Sequence, residues 1–224
     1  RPDRLLKISK QLDLMGVSWT RIDAVDGRTC DESILSISKK KGPIGELSKS
    51  TRGCTASHFK FWKILLSGED QCGIILEDDI ELSDDFKDII CDLSWIPENS
   101  NIIKLEKFAG FKSSKLLLGM PISNTLNNTR AIHKMYSRHT GAGAYLITKL
   151  GAKKIINWKK LFTVPVDHLL FNETVSKLSS ELNPLILVPP IAWQLNENGD
   201  FSNIDNDNFR EISKIKKFIR SLKR

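Results

Sequence analysis

The stretch Gly73-Ile74-Ile75-Leu76-Glu77-Asp78-Asp79-Ile80 places three branched apolar residues directly before three consecutive carboxylates. A short apolar run bounded by glycine predicts a strand that is buried on both faces, as in the covered sheet of an α/β protein. Three like charges at the end of such a strand repel one another, so the fold needs a counter-charge there, most simply a divalent cation. The alternative is an acidic turn or a helix start, because Ser83-Asp84-Asp85 follows soon after.

The bulk composition bounds the class of protein. With 224 residues, of which 40% are hydrophobic and 27% charged, the chain has the size and balance of one soluble α/β domain. No apolar run approaches the roughly 20 residues that a membrane-spanning helix needs. The four cysteines form no Cys-x-x-Cys pair and histidines are few, which argues against a zinc site. Four cysteines in a chain this long do not indicate a disulfide scaffold and favour reduced cytosolic thiols.

Helical and strand patterns precede the acidic stretch. Residues 5–15 carry apolar side chains at helical spacing, which predicts an amphipathic helix, and Gly16 predicts its C-terminal cap. The alternation of apolar and polar residues in Val17–Ile22 predicts a strand that ends near the turn Asp26-Gly27. This order of elements implies a further strand before Arg1.

Two residues with acid–base chemistry lie on predicted helices. His58 lies on a helix predicted over residues 54–66, where a single histidine is either a hydrogen-bonded structural residue or a functional one. Asp167 follows Pro165, where it either caps a helix that begins at His168 or has a chemical role. The pattern leaves both alternatives open for each residue.

Positive charge is concentrated at the C-terminus. The net charge is +7, and residues 209–224 contain seven Lys or Arg residues against one Glu, so residues 1–208 are nearly neutral. Apolar residues recur in this segment at helical spacing, which predicts a basic amphipathic helix. Such a helix either binds an anionic membrane surface or packs its apolar face against its own domain.

Five short motifs, in this order, resemble glycosyltransferase family 25. That family contains bacterial lipooligosaccharide galactosyltransferases, with animal collagen galactosyltransferases as distant relatives, and the resemblance covers roughly residues 1–204. The motifs are Asp26-Gly27, Gly53-Cys54-x-x-Ser57-His58-x-x-x-Trp62, Leu76-Glu77-Asp78-Asp79, Thr140-Gly141 through Tyr145-Leu146-Ile147, and Pro165-Val166-Asp167.

The resemblance implies a GT-A-type α/β fold, with a central, mostly parallel sheet flanked by helices. Residues 1–208 would form the catalytic domain and residues 209–224 the C-terminal helix. The sequence departs from the family pattern at three places. The usual first strand is absent before Arg4, Thr51-Arg52 stands where many members have Gly-Glu, and Asn203 replaces an aspartate, which puts an acidic role there in doubt.

The resemblance also implies roles for individual residues. Asp79, with Glu77, would bind Mn²⁺ or Mg²⁺, and Glu77 and Asp78 would contact the ribose or a metal-bound water. Asp167 is the candidate base that deprotonates the acceptor hydroxyl, with Glu106 and Asp78 behind it. The residues expected to bind the donor nucleotide sugar are Arg4, Ala24, Val25, Asp26, His58, Glu77, Asp78 and Gln194.

The function implied is inverting transfer of galactose from UDP-galactose to a lipooligosaccharide or lipopolysaccharide glycan, by a cytoplasmic protein peripheral on the inner membrane face. UDP-glucose is an alternative donor, because no residue discriminates between the two by inspection. A different class of function is a non-catalytic module that binds membrane or nucleic acid through residues 209–224. Nucleic-acid binding is not expected, because the positive charge is confined to that segment.

Overall fold

The computed structural model describes residues 1–107, 118–125, 128–139 and 141–194. The helix predicted over residues 209–224 and the substitution at Asn203 lie outside this range. The helices are α1 (Pro2–Leu14), α2 (Glu32–Leu35), α3 (Lys49–Ser67), α4 (Phe86–Cys91), α5 (Lys149–Ile156), α6 (Val166–Phe171) and α7 (Lys177–Leu182). The strands are β1 (Lys41–Gly42), β2 (Gly45–Glu46), β3 (Cys72–Leu76), β4 (Ile80–Leu82), β5 (Ile102–Lys104), β6 (Glu106–Lys107), β7 (Leu118–Asn124), β8 (Ala131–Met135), β9 (Ala144–Thr148), β10 (Leu185–Val188) and β11 (Ala192–Gln194).

A six-stranded mixed sheet forms the centre of the α/β fold. Its strand order is β3-β9-β5-β10-β8-β7, and only the β5–β10 pair is parallel. The prediction of a mostly parallel sheet is therefore wrong. Apolar runs reveal where strands lie but not their direction, which depends on how the chain returns to the sheet. A small three-stranded sheet, β4-β11-β6, and the β1–β2 hairpin complete the described strands.

The strand before the three carboxylates lies at the edge of the large sheet. Every residue of β3 is partly exposed, and its one strand partner in the described part of the chain is β9. The prediction that this strand is buried on both faces is wrong. Its side chains are instead partly buried against both cores, Ile75 on the side of α3 and Ile74 on the opposite side, while β9, whose first four residues are all buried, is the fully covered strand.

Side chains from the two faces of the sheet form two hydrophobic cores. Tyr145 and Ile147 of β9 point into a core shared with α3, α5, α6 and α7. Leu146 points into the opposite core, which α1, α4 and the small sheet cover. This alternation follows from the two-residue repeat of a strand. Each fully buried large side chain contributes about 1.5–3 kcal/mol of transfer free energy.

The N-terminal segment forms the predicted helix but not the predicted strand. Helix α1 buries Ile8 and Leu12, and Gly16 after it adopts a φ of +62°, which suits glycine. Val17–Ile22 pairs with no strand in the described part of the chain, so the strand prediction is wrong there. Alternation alone does not make a strand, because the backbone also needs a sheet edge to bond to. No helix among the described residues is long and apolar enough to cross a membrane.

Candidate functional site

The three carboxylates after β3 point to different neighbours. Glu77 lies against α3, with Oε1 3.4 Å from Nε2 of His58. Asp79 accepts a hydrogen bond from Nη1 of Arg4 at 3.0 Å and lies 3.3 Å from Nε2 of Gln194. Asp78 is the most exposed of the three and lies 3.7 Å from Nη1 of Arg4. The structure therefore brings together the predicted donor-binding residues Arg4, His58, Glu77, Asp78 and Gln194.

Arg4 reaches the carboxylates because α1 is fixed to the small sheet. The side chain of Gln11 donates to the carbonyl of Ile80 at 3.2 Å and accepts from the backbone N–H of Leu82 at 2.9 Å. This pair of bonds holds the first turn of α1 beside Asp79. Only Nη1 of Arg4 has a partner among the described residues, so Nε and Nη2 remain available for an anionic ligand.

The site carries more negative charge than Arg4 balances. Burial and the charge of Glu77 raise the pKa of Asp79 above its usual value, and Gln194 and Arg4 offset this only in part. Burial, together with the charges of Glu77, Asp167 and Asp79, raises the pKa of the Cys54 thiol to about 12. A bound cation would relieve both effects, so the electrostatics fit a divalent metal held by oxygen ligands.

A soft-metal cluster is the other cation site that the geometry offers. Ligand atoms of Cys54, His58 and Glu77 lie within 4.8 Å of one another, and this is the one group of three or more such residues in the part of the chain described. Glu77, Asp78 and Asp79 do not form such a group. Cys54 and His58 are four residues apart on α3, so they share one helix face.

His58 is part of a buried hydrogen-bond chain. Its side chain is 4% exposed, and Nδ1 lies 2.8 Å from the hydroxyl of Tyr145, which also accepts from Nε1 of Trp62 at 3.0 Å. Burial alone would raise the pKa of Glu77, but the hydrogen bond from His58 and the nearby charges of Lys104 and Arg4 lower it. Glu77 is therefore held as a carboxylate.

The expected uridine-binding segment, residues 24–26, lies against the N-terminal half of α3. The backbone N–H of Val25 donates to Oγ of Ser57 at 2.9 Å, and Ser57 donates to the carbonyl of Gly53 at 2.9 Å. A Cβ on Gly53 would lie 2.7 Å from the carbonyl oxygen of Val25, so only glycine allows this approach. Ala24 is exposed, and Asp26 pairs with Arg28.

Asp167 does not cap a helix, so that interpretation of the sequence is wrong. Pro165 is the N-cap of α6, no side-chain cap is formed, and Asp167 lies in the first turn. Its Oδ2 accepts from the backbone N–H of Gly141 at 3.2 Å, and the side chain is only partly buried. Asp167 is therefore a partly exposed carboxylate near enough to the site for its charge to act on Cys54.

Glu106, the second candidate base, is fully buried. Its Oε1 accepts from Nζ of Lys104 at 3.0 Å and from the backbone N–H of Gly143 at 2.7 Å. Lys104 also donates to the carbonyl of Gly141. Because Gly143 accepts from the backbone N–H of Glu77 at 2.7 Å, the Lys104–Glu106 pair supports the segment that contacts both Glu77 and Asp167.

Sequence reasoning assigned no role to Cys54, Tyr145 or Lys104, and it predicted Glu106 as a candidate base and not as the partner of Lys104. One signal for Cys54 was available, since it lies one helical turn before His58. Tyr145 gave no such signal, because its contact with His58 joins residues 87 apart in sequence.

Comparison with known proteins identifies relatives over most of the chain. Residues 1–170 match Glycosyltransferase family 25 (LPS biosynthesis protein). Two Haemophilus influenzae proteins are 25% and 26% identical over 170 and 183 residues, and the second is lipooligosaccharide biosynthesis protein lex-1. These alignments cover 74% and 76% of this chain but 57% and 59% of the relatives, so the chain spans less than two thirds of their length.

A third relative is the mouse protein named inactive glycosyltransferase 25 family member 3. It is 30% identical over 95 residues, which is 39% of this chain and 16% of the mouse protein. A protein can therefore belong to this family without being an active glycosyltransferase. The family match covers well over half of the 224 residues, and the chain belongs to Glycosyltransferase family 25.

Proposed function

We propose that this chain is a glycosyltransferase that moves a hexose from a UDP-sugar to a lipooligosaccharide or lipopolysaccharide glycan, with galactose as the sugar and inversion at its anomeric carbon. The observation that carries the proposal is the meeting of Arg4, Glu77 and Asp79 at the end of β3, beside the accessible carboxylate of Asp167. The relatives named for lipooligosaccharide biosynthesis support the choice of acceptor.

Arg4 is the group that fits the donor diphosphate. Its guanidinium already bonds Asp79 through one nitrogen and has two further nitrogens without partners among the described residues. Planar N–H groups of arginine match the oxygens of phosphates. Residues 24–26 would contact the uridine, and Gln194 would contact the phosphates or the sugar. His58, which was also expected to contact the donor, has both ring nitrogens bonded inside the protein and would act through Glu77.

The carboxylates of Asp79 and Glu77 fit Mn²⁺ or Mg²⁺, because they are oxygen ligands in a site with unbalanced negative charge. A divalent cation bound there supplies Lewis-acid stabilisation to the departing diphosphate. Asp78, the most exposed of the three, would contact the ribose or a metal-bound water.

Asp167 is the base in this proposal. The acceptor oxygen forms a bond to the anomeric carbon, the bond from that carbon to the UDP oxygen breaks, and its electron pair leaves with UDP. The proton of the acceptor hydroxyl goes to the carboxylate of Asp167. Glu106 is less suited to this role, because it is buried and bonded to Lys104. General-base help of this kind is worth about 10²–10⁴-fold in rate.

Asp167→Asn tests that role. The substitution keeps an acceptor oxygen for the N–H of Gly141 but cannot take up the proton. We expect kcat to fall at least about 100-fold with little change in the KM for the donor. Transfer near the wild-type rate would remove Asp167 from the mechanism.

A screen of nucleotide-sugar hydrolysis and transfer tests the proposed function itself. The protein is incubated with UDP-galactose, UDP-glucose and other nucleotide sugars, with MnCl₂, with MgCl₂ or with EDTA, and with or without a lipooligosaccharide acceptor. We expect release of UDP from UDP-galactose with either metal and its loss in EDTA. A Lys7→Gln variant serves as a control for changes on helix α1 outside the site. It should release UDP at the wild-type rate, because Lys7 lies on the same helix as Arg4 but pairs with Glu81.

The same screen separates the alternatives. Faster release from UDP-glucose would change the donor but not the reaction class. Release from no donor, with nucleotide still bound, would place the chain with its inactive relative, and release from no donor without binding would contradict the proposal. Attachment to anionic membranes through residues 209–224 stays a prediction.

A further inference from the structure

The chain of side chains Trp62, Tyr145, His58 and Glu77 links the hydrophobic core to the proposed donor site. Trp62 and Tyr145 are fully buried, and the rings of His58 and Tyr145 stack with centroids 5.7 Å apart and planes 13° apart. Phe171 packs edge-on against Tyr145, with ring centroids 6.0 Å apart. The members of the chain are therefore fixed by packing as well as by hydrogen bonds.

Counting donors and acceptors gives the chain a direction. The indole N–H of Trp62 can only donate, so the hydroxyl oxygen of Tyr145 is the acceptor in that bond. The hydroxyl hydrogen of Tyr145 then has one polar neighbour left among the described residues, which is Nδ1 of His58. A buried hydroxyl without an acceptor is costly, so Nδ1 accepts this hydrogen.

An acceptor at Nδ1 determines the other nitrogen of the ring. In a neutral imidazole one nitrogen is an acceptor and the other carries the hydrogen. The hydrogen of His58 therefore lies on Nε2, which faces Oε1 of Glu77 at 3.4 Å. Every bond then runs one way, from the indole through the hydroxyl and the imidazole to the carboxylate.

We propose that Trp62, Tyr145 and His58 form a one-way hydrogen-bond chain that holds His58 as the Nε2–H tautomer and so orients Glu77 towards the donor. These are positioning residues, because they act through Glu77. The inference rests on the proposed function only for the identity of the ligand that Glu77 faces. The tautomer follows from the hydrogen-bond count alone.

The chain also bears on the Cys54–His58–Glu77 cluster. A metal ion at that cluster needs a free lone pair on a ring nitrogen of His58, whereas the hydrogen-bond chain places a hydrogen on Nε2 and uses the lone pair of Nδ1 to accept from Tyr145. Moving the hydrogen to Nδ1 would leave the buried hydroxyl of Tyr145 without an acceptor in the described part of the chain. The hydrogen-bond chain therefore disfavours metal binding at the Cys54–His58–Glu77 cluster and leaves the carboxylate oxygens of Asp79 and Glu77 for a cation.

Nitrogen-15 NMR of the histidine rings tests the tautomer directly. The protein has four histidines, and the signals of His58 are the ones lost in the His58→Gln variant of the 224-residue protein. We expect the hydrogen on Nε2 in the wild-type protein. We expect the same tautomer in Glu77→Gln, because the hydroxyl of Tyr145 and not the carboxylate selects it.

A hydrogen on Nδ1 in the wild-type protein, a doubly protonated ring, or a change of tautomer in Glu77→Gln would overturn the proposal. So would a shift of the Nε2 signal of His58 on addition of CdCl₂ that shows bonding to the metal. None of these readouts depends on transferase activity. They therefore remain valid if the proposed function fails.

Kinetics with a matched pair of variants tests the positioning role. Trp62 and Trp95 are both buried and both donate an indole hydrogen bond, Trp95 to the carbonyl of Ile89 at 2.8 Å, but only Trp62 belongs to the chain. Both Trp→Phe variants should lose thermal stability. Only Trp62→Phe should lower kcat/KM for the nucleotide sugar, by about twofold to tenfold, as expected for one hydrogen bond.

The KM for the acceptor should not change in either variant. Equal activity of Trp62→Phe and Trp95→Phe would contradict the positioning role while leaving the proposed transferase function intact. If Trp62→Phe does not fold, Tyr145→Phe replaces it, because it removes the same link with a smaller change of volume.

Discussion

Glu106 is a carboxylate with no exposed surface, and its neighbours explain how the fold tolerates it. Its Oε1 bonds Lys104 and the backbone of Gly143, and the charge of Lys104 is also satisfied by the carbonyl of Gly141 and the ring of Phe171. A buried charge pair of this kind is favourable only when both partners are present. The pair bonds Gly141 and Gly143, whose backbones contact Asp167 and Glu77, so loss of the pair should affect the site.

Glu106→Gln should destabilise the protein by about 3–5 kcal/mol, because it leaves the charge of Lys104 buried without a counter-charge. Gln keeps the acceptor for Gly143, so that bond is not the cause of the loss. In the Lys104→Met/Glu106→Gln double variant the uncompensated charge is gone, and most of the stability should return. Urea unfolding measures all three proteins. A double variant as unstable as Glu106→Gln would show that the unpaired charge is not the main cause of the destabilisation.

At the residue scale, the sequence predicted which side chains gather but not what each one does. The acidic run after an apolar strand correctly indicated that Glu77, Asp78 and Asp79 need positive neighbours, and the structure supplies Arg4. The roles of Asp167 and Glu106 were harder to predict from the sequence. Whether a carboxylate caps a helix, pairs with a lysine or faces solvent depends on residues distant in sequence, such as Gly141.

Helix α3 and residues 24–27 pack backbone against backbone, and this contact places the expected uridine-binding segment. A Cβ on Gly53 would lie 2.6 Å from the backbone nitrogen of Gly27 and 2.7 Å from the carbonyl oxygen of Val25. Neither neighbour is a flexible side chain that can move aside. The position of the expected uridine-binding segment therefore depends on the close approach of helix α3 to residues 24–27.

Gly53→Ala should destabilise the protein by about 1–3 kcal/mol and weaken UDP binding, because the methyl group displaces residues 24–27. Gly68→Ala is the matched control. Its Cβ would have no neighbour closer than 3.5 Å, so its stability should change by less than about 0.5 kcal/mol. Thermal unfolding and calorimetric titration with UDP measure the two effects. Unchanged UDP affinity in a folded Gly53→Ala would argue against the contact of residues 24–26 with the nucleotide.

The start of α4 is tied to β8 by an ion pair between Asp85 and Arg130, with Oδ1 2.8 Å from Nη2. Burial would raise the pKa of Asp85, but the hydrogen bonds and the charge of Arg130 outweigh it and lower the pKa. A carboxylate with a lowered folded-state pKa contributes stability above its unfolded pKa, near 3.9, and loses it as the pH falls through the folded value.

Asp85→Asn should therefore cost about 1 kcal/mol at pH 7, because the pair is partly exposed, and the difference from wild type should shrink as the pH falls below about 4. Urea unfolding across pH measures this. Asp84→Asn is the control, since Asp84 is exposed and has no ion pair among the described residues. A cost for Asp85→Asn that is independent of pH would assign it to packing instead of charge.

Element positions were more predictable than their arrangement. Helix α1, helix α3, β10 and the strand before the carboxylates follow from local periodicity, which the chain carries residue by residue. The edge position of β3 and the burial of β9 depend on strand order instead. Strand order is decided by crossovers between distant segments, and an apolar run shielded by a helix has the same composition as a central strand.

At the scale of the whole molecule, three elements with different neighbours converge on the end of β3. Helix α1 brings Arg4, α3 brings His58 with its hydrogen-bond chain, and α6 brings Asp167. The three carboxylates Glu77, Asp78 and Asp79 meet one guanidinium there, and the negative charge of neighbouring carboxylates adds to burial in raising the pKa values of Asp79 and the Cys54 thiol. The proposal that a divalent cation and UDP bind there together depends on this charge.

A crystal structure of the protein with UDP and MnCl₂, with anomalous diffraction recorded for manganese, tests the central claim most directly. We expect one manganese peak beside the carboxylate of Asp79, at a bonding distance of about 2.0–2.2 Å, with the diphosphate next to Arg4. Manganese bound between Cys54 and His58, or UDP bound with Asp79 still paired to Arg4 and no metal beside it, would contradict the proposed cation site.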